Sequence, residues 1–215
     1  MKKKFVMSYS CGKDSTLALY RMIKEGHEPV GLLVTVDEEL NRSWFHGIEQ
    51  RILNDISKSL NIPLIMMKCN GENYEKLFEE VLENSKNSGA DSCVFGDIDI
   101  ENHRKWCSDR CKNSKLEAIF PLWQENREKV TYEFIDSGFK AILKNINLDY
   151  LNEEFLGKTL TKELVKDIKE TGADPCGENG EYHTFVFDGP IFSFPIEFKT
   201  YGNILKDKYG YLDVR

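Results

Sequence analysis

Phe5-Val6-Met7-Ser8-Tyr9-Ser10-Cys11-Gly12-Lys13-Asp14-Ser15-Thr16-Leu17-Ala18-Leu19 is the stretch whose reading decides the fold. Residues 5–9 form an apolar run with the length of a short buried strand. Leu19 with Met22 and Ile23, closed by Gly26, has the spacing and the terminal glycine of a helix. The polar turn between them gathers free backbone N–H groups and the positive end of a helix dipole at one point, where a phosphate binds well. Gly12 lets the backbone approach an anion, Lys13 adds a positive charge, and Ser15 is placed to cap the helix or donate a further hydrogen bond.

This is not a Walker A loop. No glycine stands five residues before Gly12-Lys13, and Asp14 occupies the position where that motif needs Ser or Thr. Ser10, Cys11, Gly12, Lys13, Asp14 and Ser15 instead resemble the Ser-Gly-Gly-Lys-Asp-Ser pyrophosphate-binding loop (PP-loop) of the adenine nucleotide alpha hydrolase-like ATP pyrophosphatases, with Cys11 in place of the first glycine. That resemblance implies cleavage of ATP between its alpha and beta phosphates.

Working outward, apolar runs and amphipathic segments alternate as far as residue 122. Strands are expected at residues 29–36, 63–68, 92–95 and 118–120, with helices carrying Ile48, Ile52, Ile56 and Leu60, then Tyr74, Leu77, Phe78, Val81 and Leu82. Such alternation predicts an α/β, Rossmann-like (adenine nucleotide alpha hydrolase-like) parallel sheet. Ligands of open α/β sheets bind beyond the carboxyl ends of the strands, which makes the backbone at Val34 and Thr35 a bed for adenine. Arg42 and His46 are expected to face the same cleft, although a histidine at a helix start also serves as a cap or surface group. The strand that stops at Gly96-Asp97 puts a carboxylate at this edge. Asp97 there either holds Mg²⁺ or a ribose hydroxyl or closes the strand in an Asx turn; Asp14 is the other candidate Mg²⁺ contact.

The following helix carries His103, Cys107 and Cys111 at spacings of four. Zinc sites want four ligands and no second cluster follows, so the spacing reads first as packing. His103, Arg104 and Trp106 are then candidates for the substrate side of the cleft.

The alternation stops at Pro121-Leu122-Trp123, which divides an ATP-binding domain of residues 1–122 from a smaller α+β substrate-binding domain of residues 123–215. In the second part residues 130–135 and 160–168 read as helical, and residues 139–146, 183–187, 191–198 and 209–214 as strands. Its loop, Asp174-Pro175-Cys176-Gly177-Glu178-Asn179-Gly180-Glu181-Tyr182-His183-Thr184, concentrates glycine, carboxylates and histidine. Loops of that density commonly carry a site. Glu178 and Glu181 could bind a cation, ammonium or a substrate amine, and with His183 they are the candidate proton acceptors beside Lys13 and Asp14.

The chain of 215 residues has a net charge of −7 and a pI near 5.3, which argues against a broad nucleic-acid or membrane-surface interface. Lys2 to Lys4 are followed by too short an apolar run for a secretion signal. No stretch approaches the roughly 18 apolar residues of a membrane span, and the six cysteines suit a reducing cytoplasm. The apolar run at residues 191–198 is a candidate edge for pairing in a homodimer.

Taken together, the PP-loop, Phe45-His46, Pro121-Leu122-Trp123, the stretch from Leu148-Asp149 to Phe155-Leu156-Gly157, and Gly177-Glu178-Asn179-Gly180-Glu181 resemble the diphthine–ammonia ligase family over nearly the whole chain. The resemblance implies use of ATP and ammonium to turn the carboxylate of diphthine, a modified histidine of an elongation factor, into an amide, with release of AMP and pyrophosphate. Gly177, Asn179 and Gly180 would then join the substrate side. Two departures, Asn179 with His183 in the loop and residues 96–107 after the fourth strand, are similar to the bacterial version of the family. Both lie where the acceptor, a protein or a small-molecule carboxylate, would dock. Other uses of the loop are amine or sulfur transfer to tRNA, and nucleotide sensing without catalysis. The tRNA reading wants a basic surface and a persulfide-carrying cysteine pair, which this acidic chain supports poorly.

Overall fold

In the computed structural model, which describes residues 2–215, the apolar runs of the first half become five parallel strands. These are β1 (Lys4–Ser8), β2 (Glu28–Asp37), β3 (Leu64–Cys69), β4 (Ser92–Val94) and β5 (Glu117–Ile119), in the order β3-β2-β1-β4-β5. Parallel neighbours require crossovers, supplied here by α1 (Lys13–Lys24), α2 (Gln50–Leu60), α3 (Tyr74–Asn87) and α4 (Glu101–Asn113). The strands are buried on both faces. Phe5 and Met7 of β1 join a core with Leu17 of α1 and Ile52 of α2, while Val6 faces the other way into a core with Phe78 of α3 and Cys107 and Cys111 of α4. Strand order reverses between β1 and β4. A doubly wound sheet opens its ligand crevice at that switch point, between the turn that follows β1 and the turn that follows β4.

The remaining elements are α5 (Arg127–Asp136), β6 (Lys140–Asn147), α6 (Lys162–Glu170), β7 (Tyr182–Asp188), β8 (Thr200–Lys206) and β9 (Tyr209–Val214), with a short 3-10 turn at Glu153–Phe155. The four strands form an antiparallel sheet in the order β7-β6-β9-β8. Its β7 edge meets the glycine turn directly: the Val186 N–H donates to the Cys11 carbonyl at 2.9 Å, and the Lys13 N–H donates to Thr184 Oγ1 at 3.0 Å. The second sheet therefore forms one wall of the crevice.

One expected strand is corrected. Residues 191–198 form no strand, because their backbone makes isolated bonds instead of a ladder: the Ser193 N–H reaches the Ser59 carbonyl of α2 at 2.9 Å, and the Ile196 N–H reaches the Phe187 carbonyl of β7 at 2.7 Å. Most apolar side chains of this run pack on the core, with Ile196 buried and the Phe198 ring edge-on to Phe185 and Phe187, while Phe194 stays exposed. The open edge of the sheet belongs instead to β8, which is exposed along its whole length and so carries no apolar alternation to read. Among the described residues no helix is long and apolar enough to cross a membrane.

Candidate active site

The turn after β1 is held by its own hydroxyls. Ser10 Oγ accepts the Gly12 N–H at 3.2 Å and lies 3.0 Å from Ser15 Oγ, while the Ser15 and Thr16 hydroxyls donate to the Gly12 carbonyl at 3.1 and 2.8 Å. Gly12 N-caps α1 with no side-chain hydrogen bond; its own N–H is taken by Ser10 Oγ and that of Lys13 by Thr184 Oγ1, so the donors left for a ligand are the next amides of the first turn, those of Asp14 and Ser15. Cys11 adopts φ +68°, a conformation that favours glycine, and its side chain points into the core rather than the crevice.

Lys13 is 3% exposed, and its ammonium lies 2.7 Å from both Asp14 oxygens and 3.2 Å from Cys176 Sγ. Burial works against its charge. The charge and hydrogen bond of Asp14, together with Cys176 and Tyr182 beside it, outweigh that and hold the ammonium well above the usual lysine range.

Gly96 brings the end of β4 against the first turn of α1, and the next residue, Asp97, lines the same cavity with its carboxylate 3.4 Å from His103 Nδ1. That carboxylate raises the His103 pKa. From the other side come Cys176, Gly177 and Glu178. Gly177 has φ +70°, and a Cβ there would lie 2.7 Å from the Tyr182 carbonyl oxygen, so the turn requires glycine. Glu178 accepts the Ile98 N–H at 3.4 Å, and burial, with Asp14 nearby, pushes its carboxyl up to about 7.

His46 packs its ring onto the turn; a Cβ on Gly12 would come within 2.5 Å of His46 Cε1. Its ring centroid is 5.1 Å from that of His183. Burial first, then His183, Lys144 and Lys13, hold His46 well below the ordinary histidine value, and burial and Lys13 lower His183 as well. Both imidazoles are therefore neutral at pH 7.

These groups share one cavity of about 560 Å³, lined by Ser10, Gly12, Lys13, Asp14, Ser15, His46, Gly96, Asp97, His103, Trp106, Gly177, Glu178 and His183. Part of its wall is aromatic: the Trp106 and Tyr74 rings stack at 5.4 Å, with Phe78 and Phe95 beside them. Val34 and Thr35 line a smaller adjoining recess of about 50 Å³ that shares Ser8, Ser10, Phe45 and Tyr74 with the main cavity.

Other expected residues stand outside. Arg42 turns away to Glu49 at 2.8 Å and Asp213 at 3.5 Å. Arg104 lies over the Trp123 ring at 4.6 Å. Asn179, Gly180 and Glu181 do not line the cavity; Glu181 is 4% exposed and accepts the Asn179 N–H at 3.1 Å and the Asn179 side-chain amide at 3.2 Å, tying the loop to itself. Cys111 is buried with Cys93 while His103 faces Asp97, and among the described residues no group of three or more His, Cys, Asp or Glu side chains could hold a metal ion. Sequence reasoning missed Cys176, Tyr182 and Thr184 as wall residues, although all three stand within the glycine-rich loop it singled out. It also took Tyr74 and Phe78 for core alone, because a helical apolar stripe reads the same whether it meets a core or a cavity.

Residues 2–118 match the family model described as diphthamide synthase N-terminal domain, and residues 126–215 match that described as diphthamide synthase C-terminal domain. Diphthine–ammonia ligase of Rattus norvegicus is 27% identical over 216 residues, spanning 89% of this chain and 81% of the relative. The Homo sapiens ligase is 27% identical over 208 residues, or 85% and 78% of the two chains. That of Saccharomyces cerevisiae is 23% identical over 228 residues, which is 88% of this chain but 33% of the longer yeast protein. A solved structure described as a predicted subunit of tRNA methyltransferase from Methanocaldococcus jannaschii aligns with a TM-score of 0.47 and 17% identity, over 88% of this chain and 98% of that one.

Proposed function

Because the chain belongs to the diphthamide synthase family, whose relatives named above are diphthine–ammonia ligases, we propose that it is an ATP-dependent carboxylate–ammonia ligase working by adenylation. The observation that carries this reading is the single cavity in which an open helix start and a buried lysine face a carboxylate poised to titrate near neutrality. The remaining N–H groups of the first turn of α1 and the Lys13 ammonium receive the phosphates of ATP, with Ser10 and Ser15 fixing the turn. The adenine lies toward Val34 and Thr35, and Gly96 and Asp97 border the ribose.

The acceptor carboxylate attacks the alpha phosphate, forming an acyl-adenylate while the bond to pyrophosphate breaks. Lys13 and the turn stabilise the charge that gathers on the departing pyrophosphate. Ammonia then attacks the acyl carbon, AMP leaves with the bonding electrons, and the surplus proton passes to Glu178, whose pKa suits a base at neutral pH. His183, neutral and beside the turn, is the second candidate for receiving ammonia.

Magnesium usually takes one or two protein carboxylates and completes its shell with phosphate oxygens and water. Asp14 and Asp97, on one cavity with the phosphate site, fit that pattern and would hold it, where it would neutralise phosphate charge. The aromatic wall at Trp106, with His103, faces the acceptor.

The test incubates the protein with ATP, Mg²⁺, ammonium and carboxylate acceptors, diphthine-bearing elongation factor among them. AMP and pyrophosphate should appear only when an acceptor is present. Intact ATP, or release of phosphate alone, would refute the ligase assignment.

A further inference from the structure

One guanidinium ties together the two acid-bearing segments that face each other across the cavity. Arg127, in the first turn of α5, donates from Nε to Asp99 Oδ2 at 2.7 Å and from Nη2 to Asp99 Oδ1 at 2.6 Å, a bidentate pair. Its Nη1 donates to the Asp174 carboxylate. Asp99 stands two residues after Asp97, on the turn between β4 and α4. Asp174 opens the loop that carries Glu178, and its own oxygens accept the Cys176 N–H at 2.9 Å and the Glu178 N–H at 3.3 Å. The chain of contacts therefore runs from the Asp97 turn through one side chain to the backbone of Glu178.

We propose that Arg127 is the positioning residue of the site, holding the Glu178 loop at a fixed separation from the Asp97 turn. It touches neither ATP nor acceptor in this reading, and it does not line the cavity.

The physical case rests on geometry that lysine cannot copy. A planar fork presents two edges at once, one to each carboxylate, whereas an ammonium is a single point charge. The Asp174 side chain is 8% exposed and that of Asp99 35%, so the loop end of the link is the drier one and depends more on its cation. Without Arg127, Asp174 would be drawn toward water and would let go of the two amides that aim Glu178. Glu178 would then move away from the burial and the Asp14 carboxylate that raise its pKa.

This proposal rests on Glu178 acting as base in the ligase reading, and the experiment separates the two. Arg127→Gln and Arg127→Lys are compared with wild type by amide exchange at Cys176 and Glu178, by ATP binding, and by kcat against pH. Both amides should exchange at least tenfold faster in Arg127→Gln, with intermediate rates in Arg127→Lys. ATP affinity should stay within about twofold, kcat should fall about 10- to 100-fold, and the acid limb of the pH profile should move to lower pH. Wild-type exchange at those two amides would overturn the clamp, whatever the activity. So would a uniform loss of rate with the limb unmoved. If the wild-type protein turned over with no acceptor, the ligase reading would fail while the exchange data still decided whether Arg127 holds the loop.

Discussion

A Cβ built on Gly96 would lie 2.7 Å from the backbone nitrogen of Ser15, closer than Cβ atoms approach a neighbouring backbone. The end of β4 and the start of α1 touch backbone to backbone at the switch point, and only glycine permits that approach. Gly96→Ala must push one element off the other, because the obstructing atoms belong to the main chain and no rotamer relieves them. The expected cost is about 1–3 kcal/mol of stability by denaturant unfolding. ATP affinity should fall about tenfold or more by calorimetry, since the displaced backbone is the one proposed to receive phosphate. Unchanged affinity would mean that the phosphates bind elsewhere.

As the proposed base, Glu178 sets the expected pH dependence. With its carboxyl at about 7, only the ionised form can take a proton, so log kcat should rise with pH to about 7 and then level off. Glu178→Gln should be slow and flat across that range. Stability runs the opposite way. The folded state binds the proton more tightly than the unfolded chain, whose glutamates titrate near 4.3, so this group favours folding at low pH and loses that contribution as pH rises through about 7. Melting temperatures of wild type and Glu178→Gln should therefore diverge upward in pH, with the variant the more stable at pH 8.

The strand, turn and helix around Gly12 were legible because apolar period, glycine and lysine all change within a few residues, and the alternation that follows leads to a parallel doubly wound sheet. Glu178 and Glu181 show where legibility ends. The two carboxylates stand three apart in one loop with the same local composition, yet one faces the cavity while the other is buried among the loop's own amides. Composition cannot tell a carboxylate aimed at a ligand from one that organises its own turn, because the difference is set by the path of the chain. Residues 191–198 failed for a related reason: Ile191, Phe192, Ile196 and Phe198 pack on the core, as a strand's side chains would, but the backbone makes isolated bonds, to Ser59 of α2 and to Phe187 of β7, rather than a continuous ladder. Arg127 had no sequence signal, since its partners lie 28 and 47 residues away.

Cys11 sets two opposing effects against each other. Its φ of +68° costs a non-glycine residue about 1–2 kcal/mol, which Cys11→Gly would remove. The same change gives up a fully buried side chain and adds about 0.5–1 kcal/mol of backbone entropy to the unfolded state. The contributions nearly cancel, so Cys11→Gly should shift unfolding stability by less than about 1 kcal/mol. Cys11→Val keeps the burial but places a branched side chain at positive φ, and should lose more than Cys11→Gly does. Urea titrations of the two variants check the order; a more stable Cys11→Val would show that the turn relaxes out of the left-handed region.

Lys13 is held by Asp14 before any ligand arrives, so a phosphate must share the ammonium with that carboxylate. Lys13→Met keeps much of the buried stem and removes only the charge. A charge-assisted hydrogen bond contributes about 1.5–3 kcal/mol, which sets the expected loss of ATP affinity at about 10- to 100-fold by calorimetry. Lys13→Arg should not restore it, because a side chain 3% exposed leaves little room for the wider guanidinium. The substitution has a second signature. Lys13 lowers the pKa of Glu178 while Asp14 raises it, so deleting the ammonium leaves the two carboxylates facing each other and moves Glu178 further up. Carboxyl carbon titrations by NMR on both proteins should place Glu178 higher in Lys13→Met than in wild type. A downward shift would mean that the loop has left the cavity and that Lys13, rather than Arg127, holds it there.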